Sequence, residues 1–234
     1  MRLRIQITKE EGIRFIAHLE YVRTLERAIR RAQLPVAYSE GFNPHMKFSL
    51  ASALGVGVTS DTEFVEIELS EEMDINTAIE NFKKALPWGI HVKAADIVDS
   101  KTPKLMASAT GASYKIVVPC TGDGLEGVEK FNAATEIIYA KAKPKTRAKV
   151  KEIDVKKFVD KIKAHMDEDN IVLEFDCKIS PTGSMKAAEI VKVLQEQFTV
   201  PLVSEKADIK RVALYGKNSK DKKCALLNND YIEK

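Results

Sequence analysis

Apolar and polar residues alternate from the second position onward. In Arg2–Thr8 (R-L-R-I-Q-I-T) Leu3, Ile5 and Ile7 share one face and the polar residues take the other, the period of two expected of a half-buried strand. A turn follows at Gly12. Between Ala17 and Ala32 the period changes: Val22, Leu25, Ile29 and Ala32 recur at three and four, which predicts a helix that Pro35 ends. Pro35–Tyr38 reads as a short extended piece entering a loop, Ser39–Lys47, and Phe48–Ala51 as another beyond it. Alternation returns in Phe64–Leu69 (F-V-E-I-E-L). Asp74 is placed to cap a helix whose buried stripe is Ile75, Ala78, Ile79, Phe82 and Leu86, ending at Pro87. Gly89–Val98 is a strand with Ile90 and Val92 in phase.

Strand, helix, strand, strand, helix, strand is the split βαβ or ferredoxin-like order, in which two helices cover one face of a four-stranded antiparallel sheet. Residues 99–112 are small, polar and aperiodic, and read as a linker. The pattern then restarts: a strand over Ser113–Pro119, a helix over Gly124–Ala134, a strand over Ile137–Ala142 and a basic turn, Lys143–Arg147. Val155–Met166 fits a helix by Val155, Phe158, Val159 and Ile162, or else an edge strand. A strand over Ile171–Ile179, a helix from a Ser184 cap to Phe198 and a strand over Ile209–Tyr215 complete the series. The predicted fold class is α+β: two tandem ferredoxin-like (βαββαβ) units with antiparallel sheets, residues 1–98 and 113–216, the second with an added hairpin. Residues 217–234 are expected to form a flexible tail.

Composition supports this size of core. The chain has 234 residues, 44% hydrophobic and 30% charged, typical of a globular protein and far from disorder. No apolar run approaches the ~18 residues that span a bilayer, and the N-terminus enters a strand directly, so no membrane is expected and the chain is placed in the cytoplasm. Cys120, Cys177 and Cys224 are far apart and form no CxxC pair, which suggests neither a disulfide framework nor a zinc site. Charge is segmental. Nine cations face five carboxylates over residues 1–50, and three face ten over 51–100. A domain folding these blocks together would be polarised, which suits a one-sided anionic partner.

Candidate chemistry gathers between Arg14 and Val58. Arg23, Arg27, Arg30 and Arg31 fall at helical spacing beside the apolar stripe. They present forked donors along one line, as a phosphate clamp needs, or else form a solvated face paired with Glu20 and Glu26. His18, at the helix start, is a candidate acid or base, or a capping or packing group. His45 lies in a loop with Asn43 and Lys47, which can hold a phosphate or oxyanion while an imidazole moves a proton. Phe42 either anchors the loop or stacks on a base. Gly41 and Pro44 form its turn. No P-loop, dinucleotide fingerprint, HExxH helix or nucleophile elbow is present, and neither cofactor nor metal is expected.

The run RFIAHLEYVRTLERAIRRAQLPVAYSEGFNPHMKFSLASALGVGV, followed by TEFVEIEL, resembles the uncharacterised radical-SAM-linked protein family, whose members are encoded beside or fused to a radical SAM protein. The resemblance implies a radical SAM partner that does the radical chemistry. This chain lacks the CxxxCxxC set that would hold the cluster. It departs from the family at Met46, where a proline is usual, which leaves one backbone dihedral free. A more distant, fold-level likeness is to the repeat-associated RNA-binding proteins of CRISPR systems.

These readings lead to an accessory binding protein, not an enzyme on its own, that presents RNA (tRNA or rRNA) or an RNA-associated substrate to a radical SAM partner. A metal-independent endoribonuclease using His18 and His45, and a module that only binds protein, are the alternatives.

Overall fold

A computed structural model describes residues 1–99, 101–141, 151–180, 183–218, 220–227 and 231–232. Its elements open with β1 (Arg2–Lys9), α1 (His18–Arg31), β2 (Phe48–Leu50), β3 (Val58–Glu68), α2 (Ile75–Ala85), β4 (Val92–Val98) and the one-turn α3 (Leu105–Ser108). Next come β5 (Gly111–Pro119), α4 (Leu125–Ala133), β6 (Ile138–Lys141), β7 (Lys151–Asp154), β8 (Ile162–Asp167), β9 (Asn170–Ser180), β10 (Gly183–Ser184) and α5 (Ala187–Phe198). β11 (Asp208–Lys217), β12 (Lys223–Cys224) and β13 (Tyr231–Ile232) close the chain. The fold is a mixed α+β one with mostly antiparallel sheet. It divides into two compact units, Met1–Thr110 with Arg211–Lys234, and Gly111–Lys210.

In the first unit the strands lie in the order β11-β3-β1-β4-β13, with β2 also paired to β3 and β12 to β11. β1 runs antiparallel to both neighbours, Ile5 standing opposite Val65 on one side and Ala95 on the other. Leu3, Ile5 and Ile7 join Val65 and Ile67 in a core roofed by Leu25, Ala28 and Ile29 of α1 and Ala78, Ile79 and Phe82 of α2. The stripe read from periodicity is therefore the buried one. Asp74 caps α2 as expected, accepting from the Thr77 N–H at 2.8 Å and its hydroxyl at 2.9 Å.

The second face of this sheet departs from the sequence reading. β1 is buried on both sides, not half-buried: Arg2, Arg4 and Thr8 are covered along with the apolar set. Over Arg2 and Arg4 the cover comes from Asp99 and residues 101–108, expected as linker, and from Leu226. Residues 101–108 carry α3, whose Leu105 is fully buried and whose Leu105 N–H donates to Glu66 at 3.4 Å. The tail also takes part, for β12 pairs with β11 and β13 with β4.

In the second unit β9 pairs with β5 and β8, and β6 and β7 form a separate two-stranded antiparallel sheet. Phe131 of α4 meets Phe198 of α5 edge to face, ring centroids 5.5 Å apart. The stretch left open between helix and strand splits: Val155–Lys157 is a short 3-10 turn and Ile162–Asp167 is strand β8. Ser184 belongs to β10 and does not cap α5. There the Lys186 N–H donates to the Glu189 carboxylate at 2.9 Å. The basic turn 143–147 lies outside the described residues.

Candidate functional site

The loop singled out by sequence is a closed hairpin. The Lys47 N–H donates to the Ala37 carbonyl, and the Ser39 N–H to the His45 carbonyl, both at 2.8 Å, while the His45 N–H reaches the Ser39 hydroxyl at 3.0 Å. Tyr38 and Met46 pair across it, and Met46 is buried in the core, which fixes the base of the hairpin. Gly41, at φ +114°, turns the chain where a side chain would be strained. The tip then presents Phe42 with 107% relative exposure, packed on none of the described residues. Of its two roles, anchoring the loop is thereby removed. Asn43, Pro44 and His45 are exposed beside it, and Lys47 makes a half-exposed ion pair with Glu68 at 3.3 Å.

The four helix arginines do unlike things. Arg23 pairs with Glu20 at 2.6 Å and Arg30 with Glu26 at 2.8 Å, both in solvent. Arg27 is exposed and makes no ion pair among the described residues. Arg31 donates to the Ala85 carbonyl at 2.7 Å and so closes the end of α2. Exposed pairs at these spacings are worth only ~0.5 kcal/mol each and are readily exchanged for another anion. The Arg30 guanidinium is held above its ordinary pKa first by the Glu26 hydrogen bond and next by the proximity of Tyr38. Residues 32–36 are all that separate the end of α1 from Ala37 at the hairpin's base, so the C-terminal end of the helix and that base are neighbours.

His18 is not. It begins α1, and the helix rises about 18 Å from His18 to Arg30. The fold thus does not assemble His18 with His45 as an acid–base pair. The His18 end is apolar instead: Phe15 (74%), Leu19 (69%) and Trp88 (73%) stand in solvent. Trp88 lies so close over Gly12 that a Cβ there would fall 1.8 Å from the indole.

Sequence reasoning missed the buried charges. On the sheet face away from α1 and α2, the Glu66 carboxylate accepts from Arg2 at 3.1 Å and from Arg4 at 3.0 and 2.6 Å. Arg2 also donates to the carbonyls of Asp99 and Thr102, and Arg4 to that of Leu226 at 2.9 Å. Register places Arg4 between Glu66 and Asp96. The signal was present as two complementary stripes, R-L-R in β1 and E-I-E in β3, each with charges two residues apart. A second buried pair joins Arg211 to Glu63 at 2.9 and 3.0 Å. Lys9 lies near this pair, its pKa lowered chiefly by burial and held up in part by Glu63. Burial, with Glu63 second, pushes the Tyr21 hydroxyl well above its usual value of 10.0.

Above the Arg2–Glu66 pair opens a cleft of about 730 Å³, lined among others by Lys47, Ser49, Glu68, Thr102, Lys104 and Met106. Among the described residues no three His, Cys, Asp or Glu side chains gather as a metal site, and no helix is long and apolar enough to cross a membrane.

An α+β chain with a cationic helix, an aromatic-tipped hairpin and a cleft at the hairpin's base is the class these features define. Residues 2–192 match the family model described as an uncharacterized protein conserved in bacteria (DUF2344), and the chain belongs to that family. No curated protein matches it. Among solved structures, a chain of a Cbf5-Nop10-Gar1 complex aligns over 91% of this chain and 48% of its own, at 12% identity and a TM-score of 0.53. This chain thus spans about half the length of that one, and the likeness is one of fold. An unknown protein from Galdieria sulphuraria is similar over 91% of this chain and 98% of its own, at 10% identity and a TM-score of 0.27.

Proposed function

We propose that the chain is an accessory RNA-binding protein that presents RNA, of the tRNA or rRNA class, or an RNA-associated substrate, to a radical SAM partner. The observation that carries this reading is Phe42, held in solvent at the tip of a hydrogen-bonded hairpin beside Asn43, His45 and Lys47. A hydrophobic ring kept out of water contact by none of the described residues is placed to stack on an unpaired base, and base–aromatic stacking is worth ~1–3 kcal/mol. Arg27 and the exchangeable Arg23 and Arg30 on the neighbouring helix supply the phosphate contacts.

The same reading takes residues 1–98 as a ferredoxin-like unit, supported by the order β1-α1-β2-β3-α2-β4 and by β1 lying between β3 and β4, with β2 on β3. It takes residues 113–216 as a second one, to which the paired strands β6 and β7 are added. The apolar end of α1, with Phe15, Leu19 and Trp88, is then the protein-facing surface of an accessory subunit.

Filter binding of a tRNA pool across a salt series tests the RNA half. The wild-type chain should bind with a marked salt slope, and Arg23→Ala/Arg27→Ala/Arg30→Ala should lower both affinity and slope. Equal, salt-independent retention of both proteins would sink the proposal. For the partner half, co-purification should recover an iron–sulfur protein bearing CxxxCxxC, and Phe15→Ser/Trp88→Ser should release it.

A further inference from the structure

The cleft at the base of the hairpin is not used by stacking at Phe42, and its wall chemistry is specific. It lies on the sheet face away from α1 and α2, where Lys47 and Ser49 stand in register with Glu68 and Glu66. Across from them is the 101–108 segment, which contributes Thr102, Lys104 and Met106. The two carboxylates inside are already neutralised. Glu66 accepts from both Arg2 and Arg4, and Glu68 is paired to Lys47. Lys104 is exposed and makes no ion pair among the described residues. Two ammonium groups thus face the opening from different segments. The Lys47–Glu68 pair is half-exposed and long at 3.3 Å, so Lys47 can turn to a better anion at little cost.

The volume, about 730 Å³, lies within the range of small-ligand sites and is ample for one nucleotide. Met106 projects into solvent at 66% exposure, a polarisable side chain suited to lie against a base edge or face. The Ser49 and Thr102 hydroxyls add donors and acceptors for a ribose or base. Lys47 belongs to the hairpin that carries Phe42, five residues and so at most about 17 Å from it. We infer that this cleft binds one nucleotide of the RNA strand: its phosphate between Lys47 and Lys104, and its base against Met106. This rests on the RNA reading above and names where the strand runs after leaving the hairpin tip.

The test uses the full chain with methyl-13C-labelled methionine, titrated with AMP and separately with inorganic phosphate. On AMP the Met106 methyl signal should shift and saturate while that of Met46, buried in the core, stays in place. Lys104→Ala should weaken this shift about tenfold, and should lower the salt slope for single-stranded RNA by about 1. Wild-type RNA binding that depends on Arg23, Arg27, Arg30 and Phe42, with a Met106 signal indifferent to AMP, overturns the cleft and leaves the RNA reading standing. A shift produced equally by phosphate alone overturns the nucleotide assignment. No shift and no RNA binding at any salt removes both.

Discussion

Arginine does two different jobs in the first unit. Arg2, Arg4 and Arg211 are enclosed, each held by a carboxylate and by main-chain carbonyls from distant parts of the chain. Arg23, Arg27 and Arg30 lie in solvent, two of them paired with a glutamate one helical turn away. Removing water is what separates them. A desolvated guanidinium cannot lose its partner without leaving a bare charge, whereas a hydrated one exchanges partners almost freely. Arg2 and Arg4 therefore maintain the sheet's second face, Arg211 holds the buried Glu63, and the solvated set is available to an external anion.

The largest effect should come from breaking an enclosed pair on one side. Glu63→Gln leaves Arg211 buried without its counter-charge and should cost ~3–5 kcal/mol in urea unfolding. Glu63→Leu/Arg211→Met should recover much of that loss, because both charges go together. A single mutant within ~0.5 kcal/mol of wild type would place these groups in water and erase the contrast.

Alkaline pH probes the same enclosure through Tyr21, whose ring is buried and whose hydroxyl donates to the Thr8 carbonyl at 3.3 Å. Its pKa is raised in the fold above the 10.0 of an ordinary tyrosine, so the stability it contributes is complete below about pH 10. That stability is lost as pH climbs from there toward the folded value. Absorbance at the phenolate band should show one tyrosine that ionises only as the protein unfolds, and Tyr21→Phe should delete that late step.

Arg31 stands between the two classes. It is exposed, yet its bond to the Ala85 carbonyl should make Arg31→Ala cost ~1 kcal/mol by thermal unfolding, with tRNA affinity changed less than by Arg27→Ala. At the small end, Arg23→Ala and Arg30→Ala should move stability by no more than ~0.5 kcal/mol each. A larger loss would mean the helix face is structural.

This contrast also marks what the sequence could disclose. Periodicity located β1, α1, β3, α2 and β4, because Leu3, Ile5, Leu25 and Phe82 are placed by local spacing alone. It could not tell that Arg2 and Arg4 are enclosed, since their cover comes from Asp99, Thr102, Pro103 and Leu226, contacts set by topology. The residues of 99–112 are individually unremarkable, and only Leu105 gives away that the segment packs. At the site, the arginine spacing and the hairpin residues were legible. The distance between His18 and His45 was not, because it depends on which end of α1 the hairpin returns to.

The central claim is that Phe42 is held out to stack on RNA, and fluorescence reads it directly. In a Trp88→Phe background, which removes the protein's single tryptophan, Phe42→Trp places the only indole at the hairpin tip. Titration with single-stranded RNA should quench its emission saturably, and added salt should reverse the quenching. Emission unchanged at RNA concentrations that saturate filter binding would contradict the account.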